Sequence, residues 1–303
     1  LALLLTVTLL GAGGASCPQF IQQYPQAGPR TLPKTATLSE IITVVNNNSA
    51  KIRSLYTTDA TVSATLIPSL RANLALERPR RFRMRAETGL TGAEVDLGSN
   101  DQLFWFWVRR LQPPSIYYCT HQQFPFSRIR EMVPVEPDWL IEALGITGFD
   151  PAGQHTGPFP VSGGRLEVRT QVPRSDGKTW TKATIVDAAR GLVLEQHLYD
   201  QAGTRVATSV TSQHALDPTS EAIVPHHIEI QWPATQFTLK VDLGSVQINQ
   251  LSGDPAQLFQ MPNYPGHQPV DVGDPSFQPP VPSPTAFAPP ALEPAPRRWK
   301  LFR

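Results

Sequence analysis

The chain has 303 residues, of which 40% are hydrophobic and 17% charged, with a formal net charge of +1. That apolar share supports a real core in one large domain or two small ones, and the near-neutral charge gives no reason to expect nucleic acid or an acidic substrate. The 31 prolines are about twice the average share and are unevenly spread.

The chain opens with an apolar run, Leu1 to Leu10 (LALLLTVTLL), followed by Gly11, Ala12, Gly13, Gly14, Ala15, Ser16 and Cys17. A run of this length fits the apolar region of a signal peptide and is too short to cross a bilayer as an anchor. Residues 1–17 are therefore expected to be a signal for export. Small residues directly before Cys17 resemble the bacterial lipoprotein signal, in which the cysteine is lipidated. Ala15 and Ser16 fit that pattern, while Gly14 stands where leucine is usual. Ordinary cleavage near Ala15 or Ser16 is the rival reading. Pro18 follows Cys17 where an aspartate would signal inner-membrane retention, so the resemblance implies the outer membrane. The only other cysteine, Cys119, lies in the apolar segment Ile116-Tyr117-Tyr118-Cys119 and reads as a buried thiol.

Residues 18–36, with Pro25, Pro29 and Pro33, read as a flexible tether. In extended polyproline geometry its stretch from Pro18 to Lys34 would reach roughly 50 Å. Thr37-Leu38-Ser39-Glu40 has the capping-box pattern, and Leu38, Ile41, Ile42, Val45 and Ile52 share one helical stripe. A helix is expected from Leu38 to about Arg53, with its last turns fraying at Asn46-Asn47-Asn48.

Strands dominate beyond this helix. Ala60 to Leu66, Leu74 to Glu77, Arg81 to Arg85, Ala93 to Leu97, Leu103 to Arg109 and Ile116 to Thr120 alternate or run apolar. One helix interrupts at Pro137 to Leu144, closed by Gly145. Strands resume at Arg165 to Gln171, Thr179 to Asp187, Leu192 to Tyr199, Val206 to His214, Ile223 to Gln231 and Phe237 to Asn249. Short turn clusters such as Gln201-Ala202-Gly203 favour an antiparallel meander. From Pro265 to Pro296 there are eleven prolines and almost no apolar period, so 265–303 is expected to be a disordered tail. Its tip, Arg297-Arg298-Trp299-Lys300-Leu301-Phe302-Arg303, is basic and aromatic.

The order of these pieces resembles the LolA/LolB-like carriers of bacterial lipoproteins. The resemblance rests on the helix leading into Ile52-Arg53-Ser54-Leu55, on Arg78-Pro79-Arg80-Arg81-Phe82-Arg83-Met84, and on Val95 to Asp101 before Leu103 to Val108. Near the end it rests on Pro225 to Ile230 and Phe237 to Val241. It covers roughly Thr37 to Pro262. It implies a mainly β (α+β) fold over 37–264, an incomplete antiparallel β-barrel, or half-barrel, with helices covering the concave face. It also implies an apolar cavity for a lipid or a lipoprotein acyl chain and a place in outer-membrane lipoprotein sorting. The alternative is a structural or sensory envelope module that uses the same fold to bind an envelope protein partner.

Leu103-Phe104-Trp105-Phe106-Trp107-Val108 is apolar on both strand faces, so both must be covered, by helices, a packed loop or an acyl chain. The candidate cavity residues are Trp105, Trp107, Leu103, Phe82 and Met84, with plain core packing as the competing account. His226 and His227 are adjacent on a strand and point to opposite faces, and the other histidines are scattered, so no metal site is expected. There is no G-x-S-x-G, no H-E-x-x-H, no phosphate loop and no dinucleotide fingerprint. No enzyme activity and no cofactor are expected.

Overall fold

The computed structural model describes residues 29–65, 67–127, 137–174 and 177–278. The expected signal, Cys17 and most of the tether lie outside them. Among the described residues the α-helices are α1 (Leu38–Ala50), α2 (Pro137–Ala143) and α3 (Pro255–Leu258). The strands of the first half are β1 (Ser54–Ala64), β2 (Ile67–Glu77), β3 (Arg81–Thr88), β4 (Gly92–Ser99), β5 (Leu103–Val108) and β6 (Ser115–Thr120). Beyond α2 come β7 (His155–Val161), β8 (Arg165–Pro173), β9 (Thr179–Asp187), β10 (Val193–Tyr199) and β11 (Arg205–Ser212). The remainder are β12 (Ala215–Leu216), β13 (Ile223–Val224), β14 (His227–Trp232), β15 (Phe237–Leu243), β16 (Gln247–Ile248) and β17 (Gln268–Asp271).

The chain is mainly β with a few helices, as its alternation implied. One large sheet runs in the order β17-β6-β5-β4-β3-β2-β1-β15-β14-β11-β10-β9-β8-β7, with β16 also against β1. It does not close into a barrel. The two meanders are joined by the β14–β15 hairpin, whose β15 pairs antiparallel with β1 over Ala60–Ala64. The two edges are blunted by different means. Along β7, Pro158 and Pro160 remove backbone donors, so that edge is a poor template for another strand. The β6 edge is covered by β17, the sheet's one parallel partner among the described residues.

The capping box expected before α1 is present: Glu40 N–H donates to Thr37 Oγ1, and Thr37 N–H donates to Glu40 Oε2. The helix ends at Ala50, three residues earlier than expected. The asparagines do not fray it. Asn46 grips both the N–H and the C=O of Phe149, and Asn48 does the same to Ile223. Two side-chain bonds to an otherwise unpaired peptide group outweigh the modest helix cost of asparagine.

Ordered structure extends past both expected boundaries of the folded region. Within the expected tether, the backbone N–H groups of Thr31 and Leu32 donate to Ala189 O, and Leu32 is buried with Ile41, Val45 and Val186 beneath α1. Within the expected tail, β17 adds to the sheet and Val272 is fully buried beside Cys119 and Phe124. Proline-rich composition hid this, because a lone parallel edge strand shows no alternation of its own. The strand expected at Ile223 to Gln231 divides into β13 and β14, and that at Phe237 to Asn249 into β15 and β16. Among the described residues, no helix is long and apolar enough to cross a membrane.

A candidate ligand bay beneath the short helix

The largest apolar cluster lies on the sheet face that α2 covers, called here the inner face. Leu74, Leu76, Phe82, Met84, Ile228, Ile230 and Trp180 belong to it, together with Trp139, Ile141 and Leu144 from α2 and the turn after it. Gly145, at φ +86°, lets the chain leave the helix where a Cβ would stand 2.5 Å from Pro225. The pocket left between Leu55, Leu74, Leu76, Leu144, Ile146, Val224, Pro225 and Leu243 amounts to about 10 Å³. That is room for roughly one water, far below the ~300–1,000 Å³ of ligand pockets. In this conformation α2 itself fills the bay.

Polar contacts hold α2 from both sides. Arg80, in the turn before β3, pairs with Asp138 at 3.2 Å. From the other half of the sheet, Lys182 Nζ donates to Glu142 Oε2 at 2.6 Å, and Gln196 Nε2 donates to the Glu142 carbonyl at 2.8 Å. Ser209 Oγ donates to the Ala143 carbonyl. Sequence reasoning missed Lys182, Gln196 and Ser209. A signal was nevertheless there, since Lys182 falls in the same strand phase as Trp180 and Val186, which point inward.

The bay is also imperfectly satisfied. Trp139 Nε1, Trp232 Nε1, Gln196 Oε1 and Asp138 Oδ1 are buried atoms with no protein partner. Trp139 and Trp232 meet edge-to-face, with ring centroids 6.5 Å apart. Each such orphan costs about 1–3 kcal/mol relative to a paired group.

The five candidate cavity residues are divided between two faces. Phe82 and Met84 belong to the inner cluster with α2. Leu103, Trp105 and Trp107 lie on the opposite, outer face, with Ala93, Ile116, Tyr118, Met261 and Tyr264. Register explains the split: Trp107 stands opposite Asp96 and Trp105 opposite Gly98, whereas Leu97, in the other phase of β4, pairs with Met84. No single cavity joins all five.

The cover over the outer face is the chain's own C-terminal segment. Tyr264 stacks on Trp107 with centroids 3.8 Å apart and planes 10° apart. Beneath it Asp96, 0% exposed, accepts from Arg83 Nη2 at 2.8 Å, Trp105 Nε1 at 3.1 Å and Tyr264 OH at 2.7 Å. Burial and the neighbouring Asp96 carboxylate raise the Tyr264 hydroxyl well above its ordinary pKa, so it stays a donor. Trp105 lies so close to the strand that a Cβ at Gly98 would fall 2.0 Å from its ring. The other face of β5 is covered by Phe124, Val272 and Phe277, packed with Phe104, Phe106 and Tyr117.

Cys119 is a free thiol on that side, raised to a pKa of about 11 chiefly by burial. His226 Nδ1 contacts the Leu243 carbonyl and His227 Nδ1 contacts Asp242. Among the described residues no three His, Cys, Asp or Glu side chains are grouped to hold a metal ion.

Fold and bay together define a class: an open β protein built on one large sheet, with a two-stranded sheet, β12–β13, beside it and a short helix seated in one face. No protein-family model and no curated protein matches the chain. Solved structures do. One, described as a candidate outer membrane lipoprotein-sorting protein domain from Vibrio parahaemolyticus, is similar at 9% identity and a TM-score of 0.49, covering 70% of this chain and 94% of that one. A DUF1329 family protein from Desulfovibrio piger is similar at 10% identity and a TM-score of 0.49, covering 75% and 100%. A LolA superfamily protein from Nitrosomonas europaea is similar at 10% identity and a TM-score of 0.44, covering 75% and 99%. At these identities and TM-scores the likenesses transfer neither a family nor a residue role.

Proposed function

We propose that this is a bacterial envelope protein that binds an acyl chain in the bay now filled by α2, with a lipidated Cys17 holding it at the outer membrane. The observation that carries the reading is α2 itself. It is a seven-residue helix seated in the main core, yet it leaves buried polar atoms around it without protein partners. A helix this short is marginal on its own and is held by tertiary packing, which a ligand can replace. A helix of this length is ~10 Å long and 10–12 Å across, so its departure frees on the order of 1,000 Å³, enough for a lipid-sized ligand.

A half-barrel is the shape that lets one short helix do this. Strands β2, β1, β15, β14, β11 and β10 lie between β3 and β9, which would put those two ~33 Å apart on a flat sheet. Asp138 and Glu142, the two anchored carboxylates, are one helical turn apart, about 6 Å. Side chains of roughly 6–7 Å cannot span the difference, which supports a sheet curved around α2. One end of that sheet suits contact with a membrane. Leu90 is 99% exposed at the β3–β4 turn. Arg109 ties the turn through the carbonyls of Thr91 and Ala93, and Arg110 stands exposed beside it.

The filled bay favours one second reading, a sensory or structural module that recognises a protein partner and never opens. Titration of the delipidated full chain with a dansyl-labelled fatty acid separates the two. Saturable binding that tightens in Trp139→Ala, where the seat of α2 is weakened, is the expected result. Absence of saturable binding in both proteins overturns the carrier reading.

A further inference from the structure

The groups that hold α2 also describe what replaces it. Three donors on adjacent strands, Lys182 on β9, Gln196 on β10 and Ser209 on β11, converge on the last turn of the helix and meet one carboxylate and two carbonyl oxygens. Gln196 and Ser209 are directly opposite in register, and Lys182 is the diagonal neighbour of Gln196. On one face such neighbours stand about 5–8 Å apart. The three heads therefore form a compact polar seat, with Thr184 opposite Gln196, in a face that also carries Trp180, Leu198 and Ile230.

Stability does not account for this seat. Lys182 is only 8% exposed, and an ion pair this buried is commonly no better than an apolar pair of the same volume. Gln196 is 1% exposed, and its amide oxygen has no protein partner, so one acceptor remains for a donor that α2 does not bring. A strand interior that needed only to pack would carry valines at these positions.

Building on the acyl-binding reading, we infer that Lys182, Gln196 and Ser209 bind the head of an anionic amphiphile, one carboxylate-sized charge beside carbonyl oxygens, whose apolar chain takes the place of Trp139, Ile141 and Leu144. In the empty protein α2 imitates that ligand: Glu142 supplies the charge, the Glu142 and Ala143 carbonyls supply the acceptors, and the apolar residues supply the chain. Ligand and helix compete for one set of donors, so the bay opens for a molecule carrying both parts. A plain hydrocarbon would leave an ammonium and an amide buried without partners. Gln196 also retains its free acceptor for an N–H, which an N-acylated amino acid or peptide offers.

The full chain is titrated calorimetrically with N-dodecanoylglycine and with its uncharged amide, N-dodecanoylglycinamide. The anionic probe should bind at least tenfold more tightly. Lys182→Met should erase that preference, weakening the anionic probe and strengthening the amide, which no longer strands a buried ammonium, and Lys182→Arg should restore most of it. Because Lys182→Met removes a buried partner, Glu142→Gln provides a second arm of opposite sign. It takes away the competing carboxylate and should strengthen binding of the anionic probe several-fold. Equal affinity for the two probes, or an anionic affinity unmoved by both Lys182→Met and Glu142→Gln, overturns the polar seat and leaves acyl binding standing. Binding of neither probe, by wild type or by Glu142→Gln, overturns both.

Discussion

The Asp96 node on the outer face offers the sharpest energetic test, because every partner is identified. Asp96→Asn keeps the volume but replaces one acceptor oxygen with an amide donor. Whichever way the amide turns, it meets a donor: Trp105 Nε1 and Arg83 Nε on one side, or Tyr264 OH and Arg83 Nη2 on the other. It also removes the counter-charge of a half-buried guanidinium, and a broken buried pair costs on the order of 3–5 kcal/mol. Tyr264→Phe keeps the stack on Trp107 and removes one hydrogen bond to a charged group, worth about 1.5–3 kcal/mol. Two unrelated changes would sum. These share an acceptor, and Tyr264→Phe removes one of the donors that the new amide would oppose. The double mutant should therefore be less destabilised than the sum by about 0.5–3 kcal/mol. Urea denaturation of the four proteins, with the slope of the transition unchanged, measures this directly. Additivity within about 0.5 kcal/mol would mean that Tyr264 does not seal Asp96 and that the C-terminal segment rests on the sheet by its stack alone.

Asn48→Ala improves helix propensity by roughly half a kcal/mol yet strips the Ile223 peptide group of two bonds, at 2.8 Å each. The net effect should be a loss of about 2 kcal/mol in chemical denaturation, and a more stable protein would refute the clamp. A chain ended at His267 loses β17, Val272 and Phe277, and should lower the melting temperature while turning Cys119 from inert to reactive toward a disulfide reagent at about pH 8. With its pKa at about 11 in the intact protein, Cys119 is protonated under those conditions. Equal labelling of the two chains would show that β17 shields nothing.

The features legible in the sequence were those that depend on local period. Thr37 to Glu40 is a capping box by composition and in space, and β3 and β5 appear as alternating and two-sided apolar segments. Period could not say which face of β5 lies inward, because Leu103-Trp105-Trp107 and Phe104-Phe106-Val108 are equally apolar. Only the register with β4, where Asp96 and Gly98 share the tryptophans' side, decides it. β7 was missed because His155-Thr156-Gly157-Pro158-Phe159-Pro160-Val161 carries the residues that ordinarily break strands, and they are tolerated here at an edge. The polar residues of the bay were missed for a different reason. Lys182, Gln196 and Ser209 are 14 and 13 residues apart in sequence and meet only through pairing between neighbouring strands.

The two faces of the sheet are finished to different standards, and that difference bears on where the protein moves. On the outer face the buried carboxylate of Asp96 meets donors on both oxygens, and the cover is continuous with an edge strand hydrogen-bonded to β6. Lifting that cover exposes Trp105, Trp107 and Asp96 together. On the inner face α2 is held by two ion pairs with part-exposed partners and by two side-chain bonds to carbonyls at its C-terminal end. The Arg80–Asp138 pair is part-exposed on both sides, contributes about 0–1 kcal/mol, and gives its freed charges to water, whereas breaking the Lys182–Glu142 pair returns only Glu142 to water and leaves the ammonium buried. The apolar residues of α2 contribute more, at about 1.5–3 kcal/mol for each large side chain buried. An entering acyl chain can recover that apolar burial in place, whereas nothing on the outer face can replace the donors of Asp96. On the proposed acyl-binding reading, opening therefore belongs to α2, and ligand specificity to the donors it uncovers.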